Sequence, residues 1–229
     1  MKRVLILTKT NWSEPPRIRH QITRLLKEKG YEICFVEKNT YKSLFIKKRK
    51  EEGMTFYSHS ELIHHQLRYF PIIQFFNNLV VKFYLKKIIK EVEFDFIMNF
   101  NYEYSFLKEL VPSKKVITMM EDDFEAQAKF GMTKQIRNQI SKTCINSDSV
   151  LTVSYPLRDK LKTYKDNVTL LFPWSQSKYQ EPKKDTMRNT VLYFGFVGRL
   201  DLNSVEELIK TTLYNYRFIV PHLSLIHIS

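Results

Sequence analysis

The chain has 229 residues, of which 43% are hydrophobic and 14% aromatic, and its 37 Lys and Arg against 24 Asp and Glu give a formal net charge of +13. This composition excludes an intrinsically disordered protein, because it supplies enough apolar side chains for a packed core and contains no low-complexity tract. The apolar run near the N-terminus covers only residues 4–7, and no uncharged stretch is long enough to cross a bilayer, so neither a signal peptide nor a membrane span is predicted.

The excess of positive charge predicts an anionic partner: acidic lipid head groups, a nucleotide diphosphate or nucleic acid. A generally basic surface without a dedicated partner is the alternative. Nucleic acid is not expected as the partner, because the chain contains no recognition motif and no aromatic platform pattern. Cys34 and Cys144 stand beside apolar residues without metal-ligand spacing, which favours buried free thiols in a reducing cytoplasm.

The first elements indicate a βαβ unit. Residues 3–8 form a nearly continuous apolar run, which is typical of a parallel strand buried on both faces, and residues 31–37 form a second one. Between them, apolar residues recur at helical spacing: Ile18, Ile22, Leu25 and Leu26. Gly30 then ends the predicted helix. A doubly wound sheet would use this unit with a right-handed crossover.

Residues 38–62 give a weaker pattern. Basic residues are concentrated there: Lys42, Lys47, Lys48, Arg49 and Lys50. We expect an exposed segment with a short strand at residues 54–57, and residues 42–50 are the stronger candidate for contact with an anionic membrane. Residues 72–92 are strongly helical, with an apolar face that includes Phe75, Phe76, Leu79, Phe83, Ile88 and Ile89. We expect this face to pack on the sheet, and membrane docking of the helix is the alternative.

Further strands are predicted at residues 94–99, 115–120, 150–154 and 168–172. Helices are predicted at residues 102–110 and 133–144 and after Ser154, which is a favoured N-cap residue.

The last part of the chain predicts a second unit. Residues 176–190 are polar and mixed in charge, as in an interdomain linker. Residues 191–196 and 216–220 are short apolar and aromatic runs typical of strands. Ser204 and Glu207 predict a capping box at the start of the helix between these strands.

The predicted fold class is therefore α/β. We expect a Rossmann-like, doubly wound, mainly parallel sheet in an N-terminal domain over residues 1–175. The linker over residues 176–190 is followed, over residues 191–229, by the first β-α-β unit of a second, truncated Rossmann-like domain. A domain of ordinary size needs about 100 residues or more, so the second domain is expected to be incomplete.

The loop after the first strand, KTNWSEPP, contains no glycine. A dinucleotide-binding fingerprint needs glycines for close approach to pyrophosphate, so a nicotinamide-dependent oxidoreductase is not expected. Ligands of open α/β sheets bind beyond the carboxyl ends of the strands. Four residues would cluster there as acceptor or phosphate contacts: Trp12, Arg17, Arg19 and His20. The alternative is a solvated basic helix face with Trp12 as a loop anchor.

Glu121, Asp122 and Asp123 follow the predicted strand at residues 115–120 and would face the same cleft. A carboxylate at this position is suited to act as a general base towards a hydroxyl group. Hydrogen bonding to sugar hydroxyls and capping of the following helix are the alternatives. The six histidines form no metal-ligand pattern, so no metal and no cofactor are predicted.

Four blocks of the sequence, in this order, resemble GT-B-fold glycosyltransferases, in particular the family-4-like enzymes of bacterial capsule, cell-wall and exopolysaccharide synthesis. The blocks are KRVLILTKTNW…PPRIRHQITRLLKEKGYEICFVE, VITMMEDDF, SDSVLTVSYPLRDKL…NVTLLFPW and YFGFVGRLDL…ELI…NYRFIV. The resemblance implies transfer of a sugar from a nucleotide-sugar donor to a lipid-linked or polysaccharide acceptor. The first domain would bind the acceptor, the second would bind the donor, and Glu121, Asp122 and Asp123 would match an acidic pair of the family.

The same resemblance implies that Gly195 and Arg199 contact the donor diphosphate. Relatives commonly place a Lys soon after this Arg, where the chain has Ser204 and Val205. It also implies a cytoplasmic protein that is peripheral on the inner face of the cell membrane, and a truncated chain that neither binds nucleotide sugar measurably nor turns over alone. A non-catalytic basic module that supports a separate transferase at a membrane or polysaccharide is the alternative.

Overall fold

The computed structural model of the protein describes residues 2–37, 45–59, 71–128, 131–174, 190–194 and 201–219. The chain divides into two compact units, Met1–Gln176 and Ser177–Ser229.

The first unit is an α/β sheet with helices. Its described elements are β1 Arg3–Leu7, α1 Ile18–Glu28, β2 Glu32–Val36, β3 Lys47–Glu51, β4 Met54–Ser58, α2 Pro71–Glu91, β5 Phe96–Asn99, α3 Leu107–Leu110, β6 Lys115–Met120, α4 Thr133–Ile145, β7 Ser149–Thr152, α5 Tyr155–Lys162 and β8 Val168–Leu170. The strands form one sheet in the order β3-β4-β2-β1-β5-β6-β7-β8. Each neighbouring pair is parallel except β3 and β4, which are antiparallel. This mixed, mostly parallel sheet confirms the predicted fold class.

Strand β1 shows why the central strands are apolar throughout. Val4 and Ile6 pack into a cluster on the α1 side of the sheet, whereas Leu5 and Leu7 pack into a cluster on the α2 side. Successive strand residues point to opposite faces, so a strand covered on both faces needs apolar residues at every position. This arrangement explains the continuous apolar run at residues 3–8.

The basic residues from Lys47 onwards form an edge strand that the sequence analysis did not predict, although they are exposed as it expected. All five residues of β3 are exposed, as charged residues on a sheet edge commonly are. Arg49 fixes the strand to its neighbours, because its guanidinium lies 4.2 Å from the ring of Phe56 and pairs with Glu37. Lys42 lies outside the described residues. The short strand predicted at residues 54–57 is confirmed as β4.

Helix α2 confirms the predicted helix at residues 72–92, but its apolar side chains are divided between two faces. Val81, Leu85 and Ile88 are buried against the sheet. Phe75, Phe76, Leu79 and Phe83 are instead exposed. The expectation that these four residues pack on the sheet was therefore wrong. Of the described helices, none is long and apolar enough to cross a membrane.

The second unit contains β9 Thr190–Phe194, α6 Leu202–Thr211 and β10 Asn215–Ile219 among its described residues, and β9 and β10 pair in parallel. The helix begins at Leu202 behind Asp201, whose Oδ1 accepts a hydrogen bond from the Asn203 N–H at 3.2 Å. Ser204 Oγ donates to Asp201 Oδ2 at 2.7 Å. The predicted capping box at Ser204 and Glu207 was wrong, because Asp201 is the N-cap and Ser204 already lies within the helix.

Candidate functional site

A polar pocket of about 180 Å³ lies at the carboxyl ends of β1, β5 and β6. Strand β1 lies between β2 and β5, so the strand order reverses direction at this point of the sheet. Open α/β sheets bind their ligands at such a switch point. The pocket is lined by Thr8, Lys9, Thr10, Arg17, Arg19, Phe100, Asn101, Tyr102, Glu103, Glu121, Asp122 and Phe124.

The loop after β5 is held by two buried asparagines. The Asn99 side chain accepts a hydrogen bond from the Asn101 N–H at 3.0 Å, and its Nδ2 donates to the Asn101 carbonyl at 2.9 Å and to Thr118 Oγ1 at 3.1 Å. Asn101 Oδ1 in turn accepts from the Glu103 N–H at 3.0 Å. Asn101 Nδ2 is buried in the pocket wall, and no described residue forms a hydrogen bond with it. A ligand oxygen would satisfy this donor.

A buried ion pair forms the wall next to this loop. Glu103, whose side chain is 4% exposed, pairs with the ammonium group of Lys9 on the loop after β1. Lys9 also lies 5.6 Å from the centre of the Tyr104 ring. The pair joins the loops after β1 and β5 across the switch point, so it fixes the two sides of the pocket relative to each other.

Arg19 and Glu121 form a second charged pair with unsatisfied atoms. Arg19 is 4% exposed at its side chain; its Nη2 donates to Glu14 Oε2 at 3.1 Å, and its Nη1 lies 3.8 Å from Glu121 Oε2. The second distance is an ion pair without a hydrogen bond. Arg19 Nε and Glu121 Oε1 are both buried and find no hydrogen-bond partner among the residues that the structure describes.

Burial dominates the ionisation of both groups. It raises the pKa of Glu121, and the opposing effect of Arg19 is smaller. Burial likewise lowers the pKa of Arg19, against the opposing effects of Glu121 and Glu14. A carboxylate with a raised pKa is a stronger base than an ordinary Glu, which suits proton transfer.

The three predicted catalytic residues are separated by the structure. Glu121 and Asp122 line the pocket, whereas Asp123 does not. Asp123 Oδ1 accepts from the Ala126 N–H at 3.1 Å, and its two oxygens accept from Lys160 Nζ at 2.8 and 3.0 Å. Burial alone would raise the pKa of Asp123, but these bonds outweigh it and lower the pKa. Asp123 therefore stabilises the turn after β6, but it does not cap the following helix, because the N-cap of α4 is Met132.

The four predicted acceptor contacts are divided in a similar way. Arg17 and Arg19 line the pocket. His20 is buried; its Nδ1 accepts from the Arg17 N–H and its Nε2 donates to the Trp12 carbonyl, both at 3.0 Å. These two bonds are the pattern expected of a neutral imidazole. Burial lowers the pKa of His20, and the hydrogen bond to the Trp12 carbonyl opposes this shift. His20 thus closes the N-terminus of α1 in place of an acidic capping residue.

Trp12 is buried beside this histidine. Its ring centre lies 4.6 Å from that of His20 and 5.3 Å from that of Phe35. The backbone N–H of Trp12 donates a hydrogen bond to Glu37 Oε1 at 2.8 Å. Trp12 anchors the loop after β1, and neither Trp12 nor His20 is part of the pocket lining. Their contact with an acceptor stays a prediction.

Gly195 and Arg199 lie outside the described residues, so their contact with a donor also stays a prediction. Within the part of the chain that the structure describes, no group of three His, Cys, Asp or Glu side chains is placed to hold a metal ion.

Lys9, Asn101 and Glu103 are pocket residues that the sequence analysis missed. Their signal is present in the stretch NFNYEY after β5, where two asparagines follow a buried strand. Asn side chains at such positions form turns with the backbone two residues further on. The sequence therefore indicates the turn, but it does not show that Lys9, from another loop, forms an ion pair with Glu103.

A scan against protein-family models and a search of curated proteins gave no match. Solved structures with a similar fold are the apo form of the lipopolysaccharide outer core galactosyltransferase WaaB (TM-score 0.61), the trehalose-6-phosphate synthase OtsA (0.60) and UGT89C1 from Arabidopsis thaliana complexed with UDP-L-rhamnose (0.59). Each is 11% identical, and the aligned part covers 95%, 96% and 96% of this chain. The chain spans only 60%, 65% and 64% of their respective lengths. The similarity shows that the chain shares its fold with GT-B glycosyltransferases.

Proposed function

We propose that this chain belongs to a glycosyltransferase that moves a sugar from a nucleotide-sugar donor to a lipid-linked or polysaccharide acceptor in bacterial surface glycan synthesis. The observation that carries the proposal is the polar pocket at the switch point of the sheet, whose wall holds Glu121 and Asp122. The fold neighbour from Arabidopsis thaliana binds UDP-L-rhamnose, which supports a nucleotide sugar as the donor.

The pocket has the chemistry of a site for a hydroxyl-rich acceptor. Asp122 and Glu103 offer carboxylate oxygens to hydroxyl groups, and Asn101 Nδ2 and Lys9 offer donors. Charges of both signs line the wall, which suits an acceptor with many hydroxyl groups better than a simple anion.

Glu121 is the proposed general base. Its Oε1 is buried with no hydrogen-bond partner in the described part of the chain, and burial raises the pKa of Glu121. The carboxylate would take the proton of the acceptor hydroxyl while that oxygen bonds to the anomeric carbon and the nucleoside diphosphate leaves. Gly195 and Arg199 are proposed to contact the departing diphosphate, where a fixed positive charge stabilises the developing negative charge. No metal and no cofactor enter this scheme.

We further propose a cytoplasmic protein that works at the inner face of the cell membrane. Both cysteines, Cys34 and Cys144, are free and buried. Burial raises the pKa of each thiol, to about 12 for Cys144. Unreactive thiols without a disulfide are common in reducing compartments, which supports the location.

The binding test is a titration of the 229-residue chain with a panel of oligosaccharides and glycolipids, followed by ligand-observed NMR. We expect Asp122→Asn to weaken binding by about tenfold, because the loss of one charged hydrogen-bond acceptor costs about 1.4 kcal/mol or more. Asp159→Asn is the matched control, since Asp159 is an exposed carboxylate on α5 outside the pocket. Equal affinities for Asp122→Asn and the unaltered chain would contradict the acceptor site.

Catalysis needs its own measurement, the release of nucleoside diphosphate from nucleotide sugars in a form of the protein that turns over. Glu121→Gln should lower turnover by about 100-fold or more, the usual effect of removing a general base. Asp123→Asn should lower turnover far less, because its carboxylate is bound to Lys160. Saccharide binding without turnover in every form would instead favour the non-catalytic module.

A further inference from the structure

In the first half of α2, polar side chains face the protein interior and large apolar side chains face the solvent. Gln74 and Asn77 are 8% and 5% exposed, whereas Phe75, Phe76 and Phe83 are 59%, 52% and 54% exposed. Ile72 and Leu79 are exposed on the same face, since residues three, four, seven and eleven positions apart share one side of a helix. We call Ile72, Phe75, Phe76, Leu79 and Phe83 the outer face of α2.

The reversal is stable because the inward polar groups are bonded. Gln74 Oε1 accepts a hydrogen bond from Gln135 Nε2 on α4 at 2.9 Å. Further along the helix, Val81, Leu85 and Ile88 point inwards and are buried in the sheet's core. The contacts of its inner face therefore hold the helix on the sheet, and the outer face is not needed for this packing.

Lysines continue the outer face towards the C-terminus of α2. Lys86, Lys87 and Lys90 follow Phe83 at helical spacing and are exposed. Lys87 Nζ lies 4.3 Å from the centre of the Phe83 ring. Among the described residues, these three lysines make no ion pair.

Two acidic groups near these lysines are bound by other lysines. Glu91 Oε1 lies 2.5 Å from Lys48 Nζ of β3, and Glu109 Oε2 lies 2.9 Å from Lys82 Nζ. The first of these pairs joins the basic edge strand to the end of α2. The positive charge of β3 and that of the α2 lysines therefore lie on adjacent elements.

We propose that the outer face of α2 docks on an anionic lipid surface, with the phenylalanines entering the head-group region and Lys86, Lys87 and Lys90 contacting lipid phosphates. A helix with large apolar side chains on one exposed face and lysines beside them lies in the plane of a membrane interface. Lysine side chains near such an interface extend towards the head groups. The surface lies apart from the pocket, so the proposal does not depend on the transferase chemistry.

The positive charge of the chain favours lipid over a second copy of the chain as the partner of this surface. Two copies would each bring a net charge of +13 and their α2 lysines to the same contact, which opposes association. Anionic head groups neutralise this charge, and each Lys or Arg near the surface strengthens binding. Binding should accordingly weaken at high salt.

The test is co-sedimentation of the full 229-residue chain with vesicles of phosphatidylcholine alone or of phosphatidylcholine with phosphatidylglycerol. We expect salt-sensitive binding to the anionic vesicles, reduced about tenfold or more by changing Lys86, Lys87 and Lys90 together to Gln. The matched control changes Lys134, Lys142 and Lys162 to Gln, which removes the same charge from exposed positions on α4 and α5. Equal losses in both triple variants would overturn a docking surface at α2.

The apolar contact is tested separately with a fluorescent reporter. Phe76→Trp should shift its emission to the blue on anionic vesicles and be quenched by brominated lipid, whereas Tyr155→Trp, at an exposed position on α5, should not. Equal quenching at both positions, or none at either, would overturn insertion of the outer face. A lipid-independent dimer that Phe75→Ser and Phe83→Ser abolish would assign the surface to a second copy instead. Thermal melts of each variant verify that it is folded.

Discussion

At the residue scale, the charged groups of Arg19 and Glu121 in the candidate site are placed at a cost to the stability of the fold. Both are charged; the Arg19 side chain is 4% exposed and that of Glu121 is 15% exposed, and the ion pair between them is long at 3.8 Å. Burial raises the pKa of Glu121 despite Arg19, so the folded protein disfavours the ionised carboxylate. Groups that are strained in this way are common at sites selected for chemistry rather than stability.

The raised pKa of Glu121 gives a prediction with a definite sign. Because the folded-state value lies above the unfolded one, this group favours folding at low pH, and that contribution is lost as pH rises through the folded pKa. Glu121→Gln removes the ionisation while Arg19 keeps its hydrogen bond to Glu14, so the variant should be more stable than the unaltered chain at pH 7, with a difference that shrinks towards pH 4. Urea denaturation at several pH values measures this. A less stable Glu121→Gln variant at pH 7 would show that the attraction to Arg19 exceeds the cost of burial.

The converse change should be strongly destabilising. Arg19→Met leaves Glu121 and Glu14 without their common cation, and removing one partner of a buried ion pair costs about 3 kcal/mol. Arg24→Met is the control, since Arg24 is a less buried arginine on the same helix. Equal losses of unfolding free energy in the two variants would mean that the buried pair has no special importance.

At the scale of the element, the hairpin between β3 and β4 turns through two residues with positive φ, Glu52 at 50° and Gly53 at 71°. Two such residues are typical of the tight turn for which Asn-Gly is preferred. Glu52→Asn should therefore raise the unfolding free energy by about 0.5–1 kcal/mol, since Asn tolerates left-handed backbone better than Glu. Glu52→Val should lower it, because a β-branched residue is strained there. Thermal melts that rank Val above Asn would contradict this reading of the turn.

The same hairpin shows where sequence patterns fail. The strands β1, β2 and β6 could be predicted because burial on both faces requires apolar runs. Strand β3 could not, since an edge strand has no such requirement and its residues are KKRKE. Helix α2 was predicted as a helix, but it carries apolar residues on two faces, so periodicity does not say which face meets the sheet. In the structure Gln74 is buried and bonded to Gln135 of α4, whereas Phe75 and Phe76 are exposed.

The candidate site was predictable to a similar extent. Acidic residues after a buried strand indicated carboxylates at the carboxyl end of the sheet, where Glu121 and Asp122 line the pocket; their catalytic role stays a prediction. The different position of Asp123 depends on Lys160, which lies 37 residues further along the chain. A single sequence does not reveal such a pairing. Ser154 was predictable as an N-cap because capping is local, and its Oγ accepts from the Leu157 N–H at 3.4 Å.

At the scale of the whole molecule, several carboxylates of the first unit favour folding in the ionised state. A hydrogen bond from Arg137 and the ion pair with Lys160 lower the pKa of Glu125. Burial opposes the shift at Asp148, but its bonds to Lys108 and the Val116 N–H outweigh it and lower the pKa. With folded values below unfolded ones, their stabilisation is present above about pH 4 and is lost as pH falls through the folded values.

We therefore expect the unfolding free energy of the first unit to fall as the solution is acidified below about pH 5. Glu125→Gln should cost about 1–3 kcal/mol at pH 7, the usual range for a charged hydrogen bond to a buried group, and much less near pH 3. Glu28→Gln, at an exposed position of α1, should change stability little at either pH. Urea denaturation at the two pH values checks this, and a pH-independent loss for Glu125→Gln would contradict the ionic explanation.

Because Trp12 lies beside His20 in the first unit, its fluorescence reports the unfolding of that unit. The chain has two tryptophans, Trp12 and Trp174, and both belong to the unit Met1–Gln176. Gln21 of α1 donates a hydrogen bond to the Trp174 carbonyl, so the two indoles lie at sites that the same helix helps to hold. Tryptophan emission during unfolding therefore follows the first unit alone, while far-ultraviolet circular dichroism follows the helices of both units. The difference between the midpoints of the fluorescence and circular-dichroism transitions therefore measures how independently the two units unfold.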